Sequence, residues 1–139
     1  MRDLADRADL DVLLAGFYDA VLSDAQLRPV FVDVMHIDLD LDAHLHRLAD
    51  FWEKVLFNTG AYHGTAVQTH RAVHRRTPLR AELFERWLDL WHAALDARFA
   101  GPVTEQARRH ADRMAGGFQR ALEQPRHPRE LALLPAAVS

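Results

Sequence analysis

The sequence predicts an all-α fold. Apolar residues recur at intervals of three and four along four long stretches. No segment alternates apolar and polar residues over a useful strand length, and no hairpin dipeptide separates two apolar runs. The 139 residues make one domain, long enough to bury a substantial core. Apolar residues at 49% and charged residues at 27% describe an ordinary globule.

Residues 1–8 are charged and read as a flexible N-terminal leader, residues 9–124 as the helical domain and residues 125–139 as a C-terminal tail. From Asp9, the positions Leu10, Leu13, Leu14, Phe17, Tyr18, Val21 and Leu22 form one helical face, with Asp9 or Asp11 as the N-cap. Ser23-Asp24 stops that helix and opens a short second one with Leu27, Val30, Phe31 and Val34 inward. Pro29 fits a first-turn or kinked position there. Asp38–Asp42 is an acidic link that caps a third helix, from Leu41 to Phe57. Its inner face is His44, Leu45, Leu48, Phe51, Trp52 and Val55, and Asn58-Thr59-Gly60 terminates it. Thr77-Pro78 starts a long helix with Leu79, Leu83, Phe84, Trp87, Leu88, Trp91, Leu95 and Phe99 as its buried stripe. Gly101-Pro102 breaks it, and a last helix runs from Val103 to Leu122 with Ala107, Ala111, Met114, Phe118 and Leu122 inside. The tail has three prolines and an apolar patch, Leu131 to Leu134, able to pack back on the body.

Composition narrows the function classes. A net charge of −3 is mild and lacks the basic stripe of a nucleic-acid binder. With no cysteine, a disulfide scaffold, an iron–sulfur cluster and thiolate chemistry are excluded. There is no charged n-region with an apolar h-region, and no run of eighteen apolar residues. The expectation is a cytoplasmic chain, monomeric, with no membrane or nucleic-acid partner. Nine histidines are many for this length and hint at a metal or cofactor.

The stretch from Tyr62 to Trp91 carries that hint furthest. A short polar helix holds His70, with only Val67, Ala72 and Val73 to bury, between two long helices that bury much more. It supports two readings. In one, the imidazole faces an apolar slot filled by a large flat group and bonds its iron, as in haem proteins. In the other, the helix is exposed and the histidine faces water.

Several fragments, in order, resemble the truncated haemoglobins, most closely the third group of that family. They are Phe17-Tyr18; Leu27-Arg28-Pro29-Val30-Phe31, with Phe31 thirteen residues after the tyrosine; and His44, seven residues before Phe51-Trp52. Gly60-Ala61-Tyr62-His63-Gly64 and His70 follow, then Phe84-Glu85-Arg86-Trp87-Leu88, whose tryptophan stands seventeen residues past that histidine. The resemblance implies a truncated globin fold, helices crossing around one haem b (iron protoporphyrin IX). It implies His70 as the metal ligand, Tyr18, His44 and Trp87 as the ligand-side pocket, Phe31 as the ring wedging the porphyrin, and Leu45 and Leu48 as apolar contacts. Tyr62, His63 and Val67 are further candidate cofactor contacts. His74, Arg75 and Arg76, close to His70, are candidates for the haem propionates, since guanidinium suits carboxylate; a solvated basic loop is the alternative.

Oxygen on ferrous iron gathers charge on its outer atom, and a phenol and an indole N–H are suitable donors to it. A charge-assisted bond contributes ~1.5–3 kcal/mol, and each ~1.4 kcal/mol is tenfold in affinity. Tyr18 and Trp87 as stabilising donors would hold oxygen tightly. That favours redox or detoxification chemistry on oxygen, NO, CO, peroxide or sulfide, or ligand sensing, over oxygen delivery. Nitric oxide dioxygenation or peroxidase-like turnover would need a reductant the chain does not encode. His44 could donate, gate or ligate iron. As plain core aromatics, Tyr18 and Trp87 would keep their polar tips at the surface. The rival classes are a non-haem metal protein, using His70 and His74 four residues apart, and a structural helical interaction module. His92, His110 and His127 read as surface residues.

Overall fold

The computed structural model describes residues 1–59 and 79–123. Among them four α-helices account for most of the chain, with no strand: α1, Arg7–Ser23; α2, Leu41–Phe57; α3, Ala81–Arg98; and α4, Pro102–Glu123. A π-helical turn, Pro29–Val34, and a 3₁₀ turn, Ile37–Asp40, join α1 to α2. None of the described helices is long and apolar enough to cross a membrane.

Each helix end has a local cause. Asp6, not Asp9 or Asp11, caps α1, its carboxylate accepting the Asp9 amide at 3.0 Å. Asp9 is instead 5% exposed and carries the Arg2 guanidinium and the Ala5 amide, the latter at 2.9 Å. Pro29 opens the π-helical turn, where its missing N–H costs no bond. Asp40 caps α2 through the Ala43 amide at 3.2 Å, and Asn58 closes it in the left-handed conformation at φ 56°. The bounds of α2 are those read from the sequence. Helix α3 starts at Ala81; Thr77 and Pro78, expected to start it, lie outside the described residues.

Residues 1–8 depart from the expected flexible leader. Leu4 is 2% exposed within the core. Asp3 accepts the amides of Val103 and Thr104 at 2.9 and 2.8 Å and the Thr104 hydroxyl at 2.7 Å, so the chain start caps α4. Gly101 permits this approach: it adopts φ +146°, and a Cβ there would meet the Asp3 carboxyl carbon at 2.5 Å. The sequence reading missed this clasp because its partners are about a hundred residues apart and no period relates them.

Helix α1 packs on α2 and α3, α3 packs on α4, and α2 also meets α4. Their shared interior is Leu10, Leu13, Leu14, Phe17 and Val21 from α1, Trp52 from α2, Trp91 and Leu95 from α3, and Ala107 and Ala111 from α4. Small alanines on α4 let the bulky indoles of α2 and α3 approach it closely. A second tie joins Arg7 of α1 to Asp50 at 2.8 Å and Glu53 at 3.2 Å on α2.

Candidate functional site

The positions singled out at the front of the chain converge. Tyr18 is on the inner face of α1, Phe31 in the π-helical turn and His44 on the second turn of α2. The Tyr18 hydroxyl lies 3.2 Å from His44 Nε2, and the two rings meet edge to face at 5.1 Å. Phe31 meets Tyr18 edge to face at 5.9 Å. Phe17, beside Tyr18, touches Trp87 of α3 edge to face at 5.5 Å. Three helices and a turn thus bring Tyr18, Phe31, His44 and Trp87 to one region of the fold.

Burial sets the electrostatics there. Tyr18 is 4% exposed, and burial raises its phenol above the ordinary range, so it stays protonated and able to donate. Burial, with a smaller push from the Arg47 cation, lowers the His44 imidazole from 6.5 to about 4. His44 is therefore neutral at physiological pH, with one ring nitrogen a donor and the other an acceptor. When Nε2 carries the proton it donates to the phenol oxygen and leaves the Tyr18 O–H for a ligand. When Nε2 is bare, the phenol donates to it instead.

Trp87 differs from the tryptophans around it. It is half-buried, and its indole N–H has no hydrogen-bond partner among the described residues. The neighbouring Trp91 is fully buried and donates to the Ala107 carbonyl at 3.3 Å. Like Trp87, several apolar side chains of α2 and α3 pack on the core yet remain partly uncovered: Leu48, Phe51, Val55, Leu83 and Leu88. Partly uncovered rings and aliphatics, with three neutral polar groups among them, suit a large apolar group that needs only a few directed hydrogen bonds.

Leu48 belongs to that half-buried set. Leu45, one residue past His44, lines an open groove of about 230 Å³ between α1 and α2, with Asp11, Leu14, Asp42 and His46. His70 and the candidate contacts Tyr62, His63, Val67, His74, Arg75 and Arg76 lie outside the described residues, as does His127. Among the described residues no three metal-ligating side chains cluster. His110 departs from the surface position expected for it. It is half-buried, its ring tilted toward Phe51 at 6.0 Å and edge-on to Trp52 at 5.5 Å, and burial lowers its pKa. His92 is partly exposed and bonded to Asp112 at 2.8 Å.

One contributor to this region was missed entirely. Arg86, beside Trp87, donates from Nε to Asp24 at 2.7 Å, tying α3 to the turn after α1. Burial alone would raise the Asp24 carboxyl. The Arg86 bond and the Leu27 and Gln26 amides, each at 3.0 Å, together hold it below the usual range. Ser23-Asp24 read as a helix stop and Arg86 stood within a resemblance fragment, and neither signal named the other as partner.

No protein-family model matches the chain. It is 27% identical over 111 residues to the group 3 truncated hemoglobin ctb of Campylobacter jejuni, a match spanning 79% of this chain and 85% of that protein. The crystal structure of a group III truncated hemoglobin from Campylobacter jejuni superposes with a TM-score of 0.80 at 25% identity, covering 91% of this chain and 100% of that one. The all-α fold expected from the sequence is thus a truncated globin fold, and the expected resemblance to that family's third group holds in both sequence and structure.

Proposed function

We propose that this chain, a truncated haemoglobin of the third group in fold and sequence likeness, is a haem protein that binds small ligands in the pocket of Tyr18, His44 and Trp87. The observation that carries the reading is the bond of 3.2 Å between the buried Tyr18 hydroxyl and the neutral His44 imidazole, with the half-buried Trp87 across Phe17. Haem b, when bound, would supply an iron able to take a diatomic ligand. His70 is the residue we assign to hold that iron as the metal ligand. Phe31, Leu45 and Leu48 are assigned as apolar contacts, with Tyr62, His63 and Val67 as further contacts and His74, Arg75 and Arg76 toward the propionates.

The chain's own groups then do two things. Tyr18 donates its hydroxyl proton, and Trp87 its indole N–H, to the electron-rich end of a small ligand. The apolar surroundings exclude water and so strengthen both bonds. His44 decides whether the Tyr18 proton is aimed at the ligand or at the imidazole. A pocket with two protein donors retains a polar ligand, which favours redox chemistry on oxygen, nitric oxide or peroxide, or sensing, over oxygen delivery. Turnover as a nitric oxide dioxygenase or peroxidase requires an external reductant. We assign the chain to the cytoplasm as a monomer.

Reconstitution with haem b tests this reading. The expected outcome is an intense Soret band that shifts on addition of carbon monoxide to the reduced protein. Purified, reconstituted chain without a Soret band would refute it.

A further inference from the structure

Trp52, Trp91 and Trp87 form a continuous file of indoles, of which the pocket uses only the last. Trp52 and Trp91 stack with centroids 4.7 Å apart and planes inclined by 19°. Trp91 and Trp87 are 6.1 Å apart and nearly parallel, at 5°. The inner two are 2% and 0% exposed, whereas Trp87 is half-buried in the pocket. Filling a core asks only for apolar volume, which Leu or Phe provides with no N–H to satisfy. This interior instead places three of the most readily oxidised side chains in series, at separations short enough for electron tunnelling.

The hydrogen bonding suits charge movement. The Trp91 N–H donates to the Ala107 carbonyl, and an amide carbonyl is far too weak a base to take the proton. An indole that loses an electron there keeps its N–H and stays a radical cation, so the hole can move on and be refilled without proton uptake. Stacking on Trp52 spreads the positive charge over two rings and reduces the cost of carrying it in a low-dielectric interior. At the far end the half-buried His110 lies edge-on to Trp52 at 5.5 Å.

We propose that Trp87, Trp91 and Trp52 are a relay that drains oxidising equivalents from the pocket when peroxide is reduced there. Trp87 gives up one electron, Trp91 refills Trp87, and Trp52 refills Trp91. A one-electron reductant of the ascorbate, phenol or thiol class refills Trp52 from outside. Two such electrons, with two protons from solvent, convert one hydrogen peroxide to two waters. The relay rests on the haem reading, because haem is the group that reacts with peroxide.

The haem-loaded chain is treated with hydrogen peroxide, followed by electron paramagnetic resonance and peptide mass mapping. The expected result is an indole radical, with oxidation recovered at Trp52 and Trp91 despite their burial. Trp91→Phe should confine oxidation to Trp87 and speed Soret bleaching several-fold, and Trp52→Phe should leave Trp91 as the innermost indole oxidised. Oxidation confined to Trp87 in the unmodified chain, or equal bleaching in Trp91→Phe, overturns the relay while an intact Soret band leaves the haem reading standing. Azide radicals generated by pulse radiolysis oxidise indoles without haem and read the stack independently. Inward movement of oxidation in the unmodified chain but not in Trp91→Phe supports the relay, and identical patterns in the two overturn it.

Discussion

Trp91 and Trp87 lie one turn apart on the same helix face, and their surroundings give them different work. Trp91 is fully buried, stacked on Trp52, and its N–H is bonded to Ala107. Trp87 is half-buried, with an N–H that has no partner among the described residues. The first pattern is that of a core residue, whose polar tip is satisfied internally. The second is the pattern the proposed donor role needs, a polar tip not taken up by any described residue. Tyr18 stands between these cases: it is as buried as the core, yet bonded to an imidazole that can release it. Burial alone therefore does not separate core from site here; the hydrogen-bond partner does.

That contrast can be broken by substitution. Trp91→Ala removes a packed indole and should cost about 3–5 kcal/mol of folding stability, read by urea denaturation. Trp87→Phe should cost less than about 1.5 kcal/mol on the same measurement, because it removes only part of a ring at a half-covered position. An equal loss in the two variants would mean that Trp87 is core after all.

Ligand release gives the next largest effect. Losing a donor worth ~1.5–3 kcal/mol should speed oxygen dissociation by roughly tenfold or more in Tyr18→Phe, and similarly in Trp87→Phe. Stopped-flow displacement by carbon monoxide measures this. Unchanged rates in both variants would remove their role as donors.

A smaller effect is expected at the tie beside Trp87. Arg86→Ala leaves the Asp24 carboxylate with its two amide bonds but without its guanidinium, and Arg86 is itself partly exposed. The expected loss is about 1 kcal/mol. Acid should narrow the difference, since the Asp24 carboxyl is held below its usual range and stops favouring Arg86 once protonated. A difference that persists unchanged at low pH would contradict the assignment.

His44 adds a pH dependence. Its folded pKa of about 4 is below the ordinary 6.5, so the unfolded chain binds the extra proton first. The stabilisation from a neutral His44 is full above pH 6.5 and is lost as pH falls toward about 4. His44→Gln should flatten stability over that window, as followed by thermal melts at several pH values. An unchanged slope would place the titration elsewhere.

Much of this was legible in the sequence, because helix periodicity and end signals are local. The run from about Leu41 to Phe57 was bounded by the acidic link Asp38–Asp42 and by Asn58-Thr59-Gly60, of which Asp40 and Asn58 are the caps. The inner faces of α1 and α3 followed from spacing alone. Partners distant in sequence were not legible. Asp9 looked like a cap because an aspartate preceded an apolar run; it is the anchor for Arg2. His110 looked like a surface residue because its neighbours Arg109 and Asp112 are polar, but it turns toward the Phe51 and Trp52 rings. Periodicity put Trp87 and Trp91 in one stripe and could not say which had its N–H satisfied. The meeting of Tyr18, His44 and Trp87 came only from the family resemblance, since no local rule brings α1, α2 and α3 together at one point.

The central proposal is that His70 would hold the haem iron. The most direct test is His70→Gly, reconstituted with haem b with and without added imidazole and followed by absorption and resonance Raman spectroscopy. The account predicts that the variant loses the histidine-ligated spectrum and that free imidazole restores it. A variant that keeps the unmodified spectrum without imidazole would contradict the account.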